Sequence, residues 1–168
     1  MSEPLSSCVA LRAATPEDCR RLWKWRNEQA TRDASFNTEY IPYDEHERWF
    51  TCMLATSNTR VLIATDTGGQ GIGYARFDIR YQEAEVSISI DRAKRGKGYG
   101  IAVIKCGSDY LLRSEPVQRV VATIRCDNPA SRAAFERAGF IVRGNKKVGD
   151  VEACEMVYEG NADVGARE

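Results

Sequence analysis

The run Asp91-Arg92-Ala93-Lys94-Arg95-Gly96-Lys97-Gly98-Tyr99-Gly100-Ile101 constrains this chain first. It follows a strand-like alternation over residues 85–90 and precedes an apolar run, residues 101–112, with few helix breakers. The local order is therefore strand, glycine-rich turn, helix. Glycines let the backbone come close to a ligand, and the first-turn amides of a helix have no partners within it. Those amides, the positive end of the helix dipole and Arg92, Lys94, Arg95 and Lys97 together favour a diphosphate. A solvated basic turn would show the same composition, so spacing has to discriminate. A Walker loop needs Gly-Lys-Ser/Thr, which this chain lacks. A dinucleotide fingerprint needs GxGxxG, whereas the glycines here stand at 96, 98 and 100.

With 168 residues, 43% of them hydrophobic, the chain is the size of one globular domain. It can bury about two-thirds of its unfolded surface. Lys plus Arg and Asp plus Glu both number 24, so no overall field draws it to nucleic acid or anionic lipid. No apolar run reaches the length of about 20 residues that a membrane span needs. The six cysteines, at 8, 19, 52, 106, 126 and 154, are scattered and joined by a single histidine. That is poor for a metal and shows no disulfide framework. They are expected to be mostly buried, reduced thiols of a cytoplasmic protein.

Residues 9–13 alternate as a first strand. Thr15-Pro16-Glu17-Asp18 reads as a helix start, with Cys19, Leu22, Trp23 and Arg26 on one face and Arg26-Asn27 near its end. Residues 30–42 read as a long aromatic loop of the kind that binds ligands, and residues 43–54 as a second helix. Strands are expected over 60–65, 72–79 and 85–90, a helix over 99–113, and a strand over 118–125. A helix follows over 128–138, capped by Asn128, and then a pair of strands, 140–143 and 154–158, joined by a turn around Gly144-Asn145-Lys146-Lys147.

The spacing Arg95-x-x-Gly98-x-Gly100 resembles the pyrophosphate-binding signature of the GNAT acetyltransferase superfamily, which takes Arg or Gln, two residues, Gly, one residue, then Gly or Ala. A second block carries the same likeness: Asn128-Pro129-Ala130-Ser131, then Phe135 and Ala138-Gly139-Phe140. It is similar to the family's Asn that opens the helix after the fifth strand and the Gly-Phe pair that ends it. The resemblance covers residues 9–159. It implies an α+β fold with a mixed, mostly antiparallel sheet of about seven strands, about four helices, and splayed strands 4 and 5. It also implies one domain over 9–159, with 1–8 and 160–168 as flexible tails.

Acetyl-CoA is the cofactor so implied. By position, Ile88, Ser89 and Ile90 would offer backbone groups to its pantetheine arm. Arg95, Gly96, Lys97, Gly98, Tyr99, Gly100 and Ile101 would hold the pyrophosphate, and Asn128 would reach the pantetheine, cap its helix, or both. The reaction would move an acetyl group to the primary amine of a small acceptor. An amine attacks only when neutral, so a base must take its proton, and the departing thiolate must gain one. Glu85 is the candidate base, with Asp78 and Glu83 behind it; each is also readable as a solvated carboxylate. A backbone N–H near Ser89 or Ile90 would polarise the acetyl carbonyl. Many family members carry a proton-donating Tyr seven residues after the Asn, where this chain has Phe135. Ser131, similar to a Ser in ribosomal-protein N-terminal acetyltransferases, is the candidate acid, with Cys126 and Tyr99 as alternatives.

The amino-terminal third is expected to choose the acceptor. Leu22-Trp23-x-Trp25-Arg26-Asn27, Arg32, Phe36 and Glu45-His46-x-x-Trp49-Phe50 are similar to the acceptor half of acetyltransferases that modify UDP-linked 4-amino sugars. Related Trp-Arg-Asn patterns occur in ribosomal-protein and aminoglycoside acetyltransferases. Candidate substrate-binding residues are Arg26, Asn27, Phe36, His46, Trp49 and Arg76, with aromatics to stack and cations for a diphosphate. Against this, Trp23, Trp49 and Phe50 lie on apolar helix faces, where core packing is the expectation, and His46 among acidic neighbours suits a surface. Three functions follow: an N-acetyltransferase for a nucleotide-linked amino sugar, an N-terminal protein acetyltransferase, and a non-catalytic acetyl-CoA-binding protein. The expected partner is a small-molecule amine, not a metal, nucleic acid or membrane; a homodimer is open.

Overall fold

The computed structural model describes residues 9–160. Cys8 and the expected tails, apart from Gly160, lie outside the described residues. Strands β1 (Ala10–Ala13), β2 (Thr59–Thr65), β3 (Gly71–Arg80), β4 (Glu83–Ile90), β5 (Arg119–Arg125), β6 (Ile141–Val148) and β7 (Val151–Tyr158) form one sheet in the order β1-β2-β3-β4-β5-β7-β6. Every neighbouring pair is antiparallel except β4 and β5. The helices are α1 (Cys19–Asn27), α2 (Gln29–Asp33), α3 (Tyr43–Leu54), α4 (Tyr99–Ser114) and α5 (Pro129–Arg137). Among the described residues no helix is long and apolar enough to cross a membrane.

Alternation along the strands sorts the core into two layers. Leu62 and Ala64 of β2, with Ala75 and Phe77 of β3, join Val103, Ile104 and Leu111 of α4 and Phe135 of α5 on one face. Val61 and Ile63 of β2 turn the other way and meet Cys19, Leu22 and Trp25 of α1 and Phe50 and Met53 of α3. Covered on both faces, β2 reads as a continuous apolar run. The sheet is thus sandwiched, with α4 and α5 behind it and α1 and α3 in front.

The β4–β5 pair holds at only three positions: Glu83 with Arg119, Ala84 with Val120, and Glu85 with Val121. Beyond them β4 stays paired with β3 out to Ile90, and β5 stays paired with β7 out to Arg125. Each strand follows its outer neighbour, so residues 86–90 and 122–125 part and leave a slot in the middle of the sheet. This is the expected splay.

Several expectations need correction. The stretch 30–42 is not all loop, because residues 29–33 form α2, a fifth and shorter helix. Strand β4 begins at Glu83 rather than Glu85. The last hairpin turns at Gly149, where φ is 60°, and not around residues 144–147, which pair with β7. Ion pairs from Lys146 to Glu155 (2.8 Å) and from Lys147 to Glu152 (3.3 Å) run across those longer strands. On α1 it is Trp25, 7% exposed, that enters the core, because its indole N–H donates to Asp91 Oδ2 at 2.8 Å. Trp23 is half-buried and donates to the Ile41 carbonyl at 2.8 Å instead. Of the described cysteines only Cys19 and Cys154 are buried, while Cys52, Cys106 and Cys126 are exposed; all are free thiols.

Candidate functional site

The glycine-rich turn sits at the open end of the slot. Asp91 starts it, accepting from the Ala93 N–H at 2.9 Å and from Trp25 at 2.8 Å. Lys94 is tied to Asp66 at 3.0 Å. Gly98 caps α4 at φ 82°, a left-handed conformation that a side chain disfavours. Residues 96–98 are exposed and lead into the half-buried first turn of α4, whose amides have no partners within the helix. The Arg95 side chain points elsewhere. It donates to the Ile90 carbonyl at 3.0 Å, to Thr31 Oγ1 at 3.0 Å and through both terminal nitrogens to Glu28. That clamp ties the turn to the junction of α1 and α2. Ser89 Oγ on β4 and Thr123 Oγ1 on β5 are buried without a hydrogen-bond partner, one on each strand bordering the slot. Such orphans are uncommon in native proteins and call for a reason.

In front of the sheet, next to β4, a cavity of about 260 Å³ is lined by Arg26, Ile41, Glu45, His46, Trp49, Tyr74 and Arg76. Its floor is β3, where Tyr74 and Arg76 are the register partners of Ser89 and Ser87 on β4. Glu45, His46 and Trp49 come from one face of α3. Ile41 is held in place by Asn27, whose side-chain amide donates to its carbonyl at 2.9 Å and accepts from its N–H at 2.8 Å. Arg26 donates to the Asn37 carbonyl at 2.8 Å, yet its other terminal nitrogen is buried and unpaired. Arg76 lies 3.0 Å from Asp78 with the carboxylate off the N–H direction, so its Nε also lacks a hydrogen bond. The Arg76 guanidinium sits 5.6 Å from the centre of the Trp49 ring.

His46 is 2% exposed, so the surface reading of it is corrected. Its ring stacks on Phe50 at 5.9 Å, and its Nε2 is buried without a partner. Burial holds its pKa below the ordinary imidazole value, and Arg26 adds to the shift against a hydrogen bond with the Cys19 backbone. Burial also raises the Tyr74 phenol, with Arg76 and Arg26 opposing, so the hydroxyl keeps its proton at neutral pH. The Arg26 guanidinium is lowered, chiefly by burial. Of the two guanidiniums, Arg76 is ion-paired with Asp78, while Arg26 has no carboxylate partner among the described residues; Glu45 is exposed at the rim.

Of the candidate acceptor residues, Arg26, His46, Trp49 and Arg76 are brought together here. Asn27 braces the wall, and Phe36 is half-buried outside it. Trp49, 43% exposed, is not a core residue, whereas Phe50, at 1%, is. Ile88, Ser89 and Ile90 border the slot beyond the last β4–β5 pair. Glu85 occupies that last pair, exposed and outside the cavity lining. Glu83 is ion-paired with Arg119 and Arg143. Asn128 caps α5, accepting from the Ser131 N–H at 3.1 Å, and Ser131 is half-buried in that first turn. Phe135 is 3% exposed and packs edge-on against Phe140 at 5.0 Å. The candidate binding residues did not include Ile41, Tyr74 or Glu45, although Glu45 stood in the acceptor-like block. Only the Tyr74 position, alternating with Ala75 and Phe77 on a strand, signalled a second face.

Residues 9–141 match the acetyltransferase (GNAT) domain family. YwnH of Bacillus subtilis (strain 168), named for phosphinothricin acetylation, is 30% identical over 120 residues, covering 66% of this chain and 70% of that protein. A mycothiol acetyltransferase of Salinispora tropica is 27% identical over 147 residues, covering 82% of this chain; the chain spans 46% of that protein's length. Among solved structures, spermidine N-acetyltransferase from Vibrio cholerae, in complex with CoA and spermine, superposes with a TM-score of 0.81 at 20% identity, over 89% of this chain and 94% of that one. Aminoglycoside acetyltransferase AAC(6')-Ib with ribostamycin and coenzyme A gives a TM-score of 0.82 at 20% identity, over 94% and 99%.

Proposed function

This chain belongs to the GNAT acetyltransferase family, and from that premise we propose that it transfers the acetyl group of acetyl-CoA to a primary amine that also carries a negative charge. A nucleotide-linked amino sugar is the first choice of acceptor. The observation that carries the choice is the presence of Arg26 and Arg76 in one cavity beside the slot, Arg26 with a buried terminal nitrogen that has no partner and Arg76 ion-paired with Asp78 but with its Nε short of a hydrogen bond. Such donors suit phosphate or carboxylate, and Trp49 offers a face for stacking. The same field disfavours a polycation such as a polyamine or aminoglycoside.

The residues present fit acetyl-CoA. Strands β4 and β5 are unpaired with each other beyond Glu85 and Val121, Ser89 Oγ and Thr123 Oγ1 on those strands lack partners, and the turn at 96–101, leading into α4, would offer amides to a diphosphate. Since the Arg95 side chain is engaged by Glu28, recognition of the diphosphate falls to the backbone of Gly96 to Ile101, with Ile88, Ser89 and Ile90 lining the arm. When bound, the coenzyme supplies a thioester as acetyl donor and a thiolate as leaving group. Ser131, beside Asn128 at the start of α5, is the proposed donor to that thiolate, because Phe135 is sealed in the core and carries no proton. Residues 9–159 form the one domain this activity needs.

Thiol release measured across a panel tests the reading. UDP-4-amino sugars, an amino acid bearing a phosphinate, aminoglycosides, polyamines and peptide N-termini would each be offered with acetyl-CoA. The anionic amines are expected to give the highest kcat/KM, and Arg26→Gln or Arg76→Gln to raise their KM at least tenfold. A preference for polyamines, aminoglycosides or peptides overturns it.

A further inference from the structure

We propose that His46 is the proton acceptor of the reaction, its Nε2 taking a proton from the acceptor ammonium in the cavity; this rests on the acetyl-transfer reading above. The ring is fixed from two sides, stacked on Phe50 at 5.9 Å and tilted against Trp49 at 5.4 Å. One ring nitrogen is engaged by the Cys19 backbone, and Nε2 is the atom left buried without a partner. The proton of the neutral ring is assigned to Nδ1, on the side of the Cys19 backbone. The lone pair then falls on the buried, partnerless Nε2 of a residue that lines the cavity.

The surroundings keep that lone pair available. Arg26 on α1 supplies positive charge, Arg76 on β3 is ion-paired with Asp78 at 3.0 Å, Glu45 on α3 is exposed, and the Tyr74 phenol and the Cys19 thiol are held neutral by burial. Burial and the Arg26 charge disfavour the imidazolium. They equally disfavour an acceptor ammonium, which brings its pKa down toward that of the ring. One field thus selects an anionic acceptor and eases its deprotonation. Position agrees: Tyr74, on the cavity floor, is the register partner of Ser89 at the slot, so the cavity lies one strand away, about 5 Å, from the parted edge of β4. Glu85 lies outside this lining.

The step balances. An ammonium R–NH₃⁺ gives one proton to Nε2, which later returns it to solvent. The neutral amine attacks the thioester carbonyl, the C–N bond forms and the C–S bond breaks. A second nitrogen proton goes to the leaving thiolate, through Ser131, and the third stays on the amide.

His46 is the single histidine of the chain, which makes the test direct. NMR of the ¹⁵N-labelled full chain reads one imidazole. The expected result is the Nδ1–H tautomer and a midpoint below the ordinary value of about 6.5. An Nε2–H tautomer, or a midpoint at or above that value, overturns the proposal whether or not any acceptor has been found. The second arm follows kcat against pH with acetyl-CoA and the fastest amine of the panel. His46→Asn keeps a donor for the Cys19 carbonyl but offers no base, so it should fold, bind CoA calorimetrically as the parent does, lose about 10²–10⁴-fold in kcat and lose the acid limb of the profile. Retention of both rate and limb overturns the proposal. If no amine is acetylated, the acetyl-transfer reading fails while the tautomer measurement still decides the state of His46.

Discussion

Gly73→Ala tests the geometry that brings the cavity and the slot together. Gly73 is buried in β3 opposite Ile90. A Cβ there would stand 2.3 Å from the Ser89 carbonyl oxygen, 2.9 Å from Ile90 Cδ1 and 3.0 Å from Ile90 Cα. Carbon–oxygen approaches in sheets bottom out near 3.3 Å, so the β4 backbone would have to retreat by about 1 Å. It cannot rotate out of the way as a side chain could. Overpacking of this kind costs about 1–3 kcal/mol, offset by about 0.4–1 kcal/mol from the stiffer unfolded chain. The net loss is roughly 1–2 kcal/mol, a fall in Tm of about 2–8 °C for a domain of this size. Because Ile90 carries the carbonyl that accepts from Arg95 at 3.0 Å, the retreat also disturbs the glycine-rich turn proposed to hold the diphosphate. Urea unfolding and calorimetric CoA titration should therefore both register the change, with CoA affinity down several-fold. Gly71→Ala is the control. Its Cβ meets Arg21 Nη1 at 2.6 Å, but that is the far end of an exposed, flexible side chain, so the loss should stay below about 1 kcal/mol. Equal stability and CoA affinity for Gly73→Ala and the parent would refute the close β3–β4 approach.

Neighbouring aromatics on α3 should separate stability from binding. Phe50→Ala, at a 1% exposed position, is expected to cost about 3–5 kcal/mol in urea unfolding, whereas Trp49→Ala, 43% exposed, should cost far less and chiefly raise the acceptor KM. The Asp18 carboxyl, bonded by Arg12 at 2.7 Å and by the Thr15 N–H at 2.9 Å, is held below the ordinary carboxylate range, with the Arg12 hydrogen bond the largest cause. A depressed folded pKa contributes stability above the unfolded value of about 3.9 and loses it as pH falls through the folded one, so Asp18→Asn should flatten the acid side of the stability curve below about pH 5. Glu28→Gln removes half of a partly exposed ion pair; global stability should change by about 0–1 kcal/mol while amide exchange at 96–98 accelerates. Unchanged exchange would mean that Arg95 does not hold the turn.

The local devices were legible in the chain. Pro129 after Asn128, Gly98 before an apolar run and Gly139 after one act within a few residues, and the structure shows the cap at Asn128 and positive φ at both glycines. Long-range choices were not. Trp23 and Trp25 both suit an amphipathic helix, and the decision came from Asp91, 66 residues away, which takes the Trp25 proton. Gly144-Asn145 and Gly149-Asp150 are both turn dipeptides, and cross-strand pairing with β7 selected the second. Arg26, His46, Trp49 and Arg76 could be named as candidates from residue type, but nothing local says that they share a wall. That depends on how α1 and α3 lie over β3.

Periodicity, caps and the glycine spacing therefore settle the order of elements and the turn at 96–101, because those signals are carried by neighbours along the chain. The cavity with its guanidiniums and the bare Nε2 of His46 arise where residues 26, 46 and 76 meet. Packing alone sets that meeting, since desolvation and mutual repulsion exist only once the two helices cover the sheet.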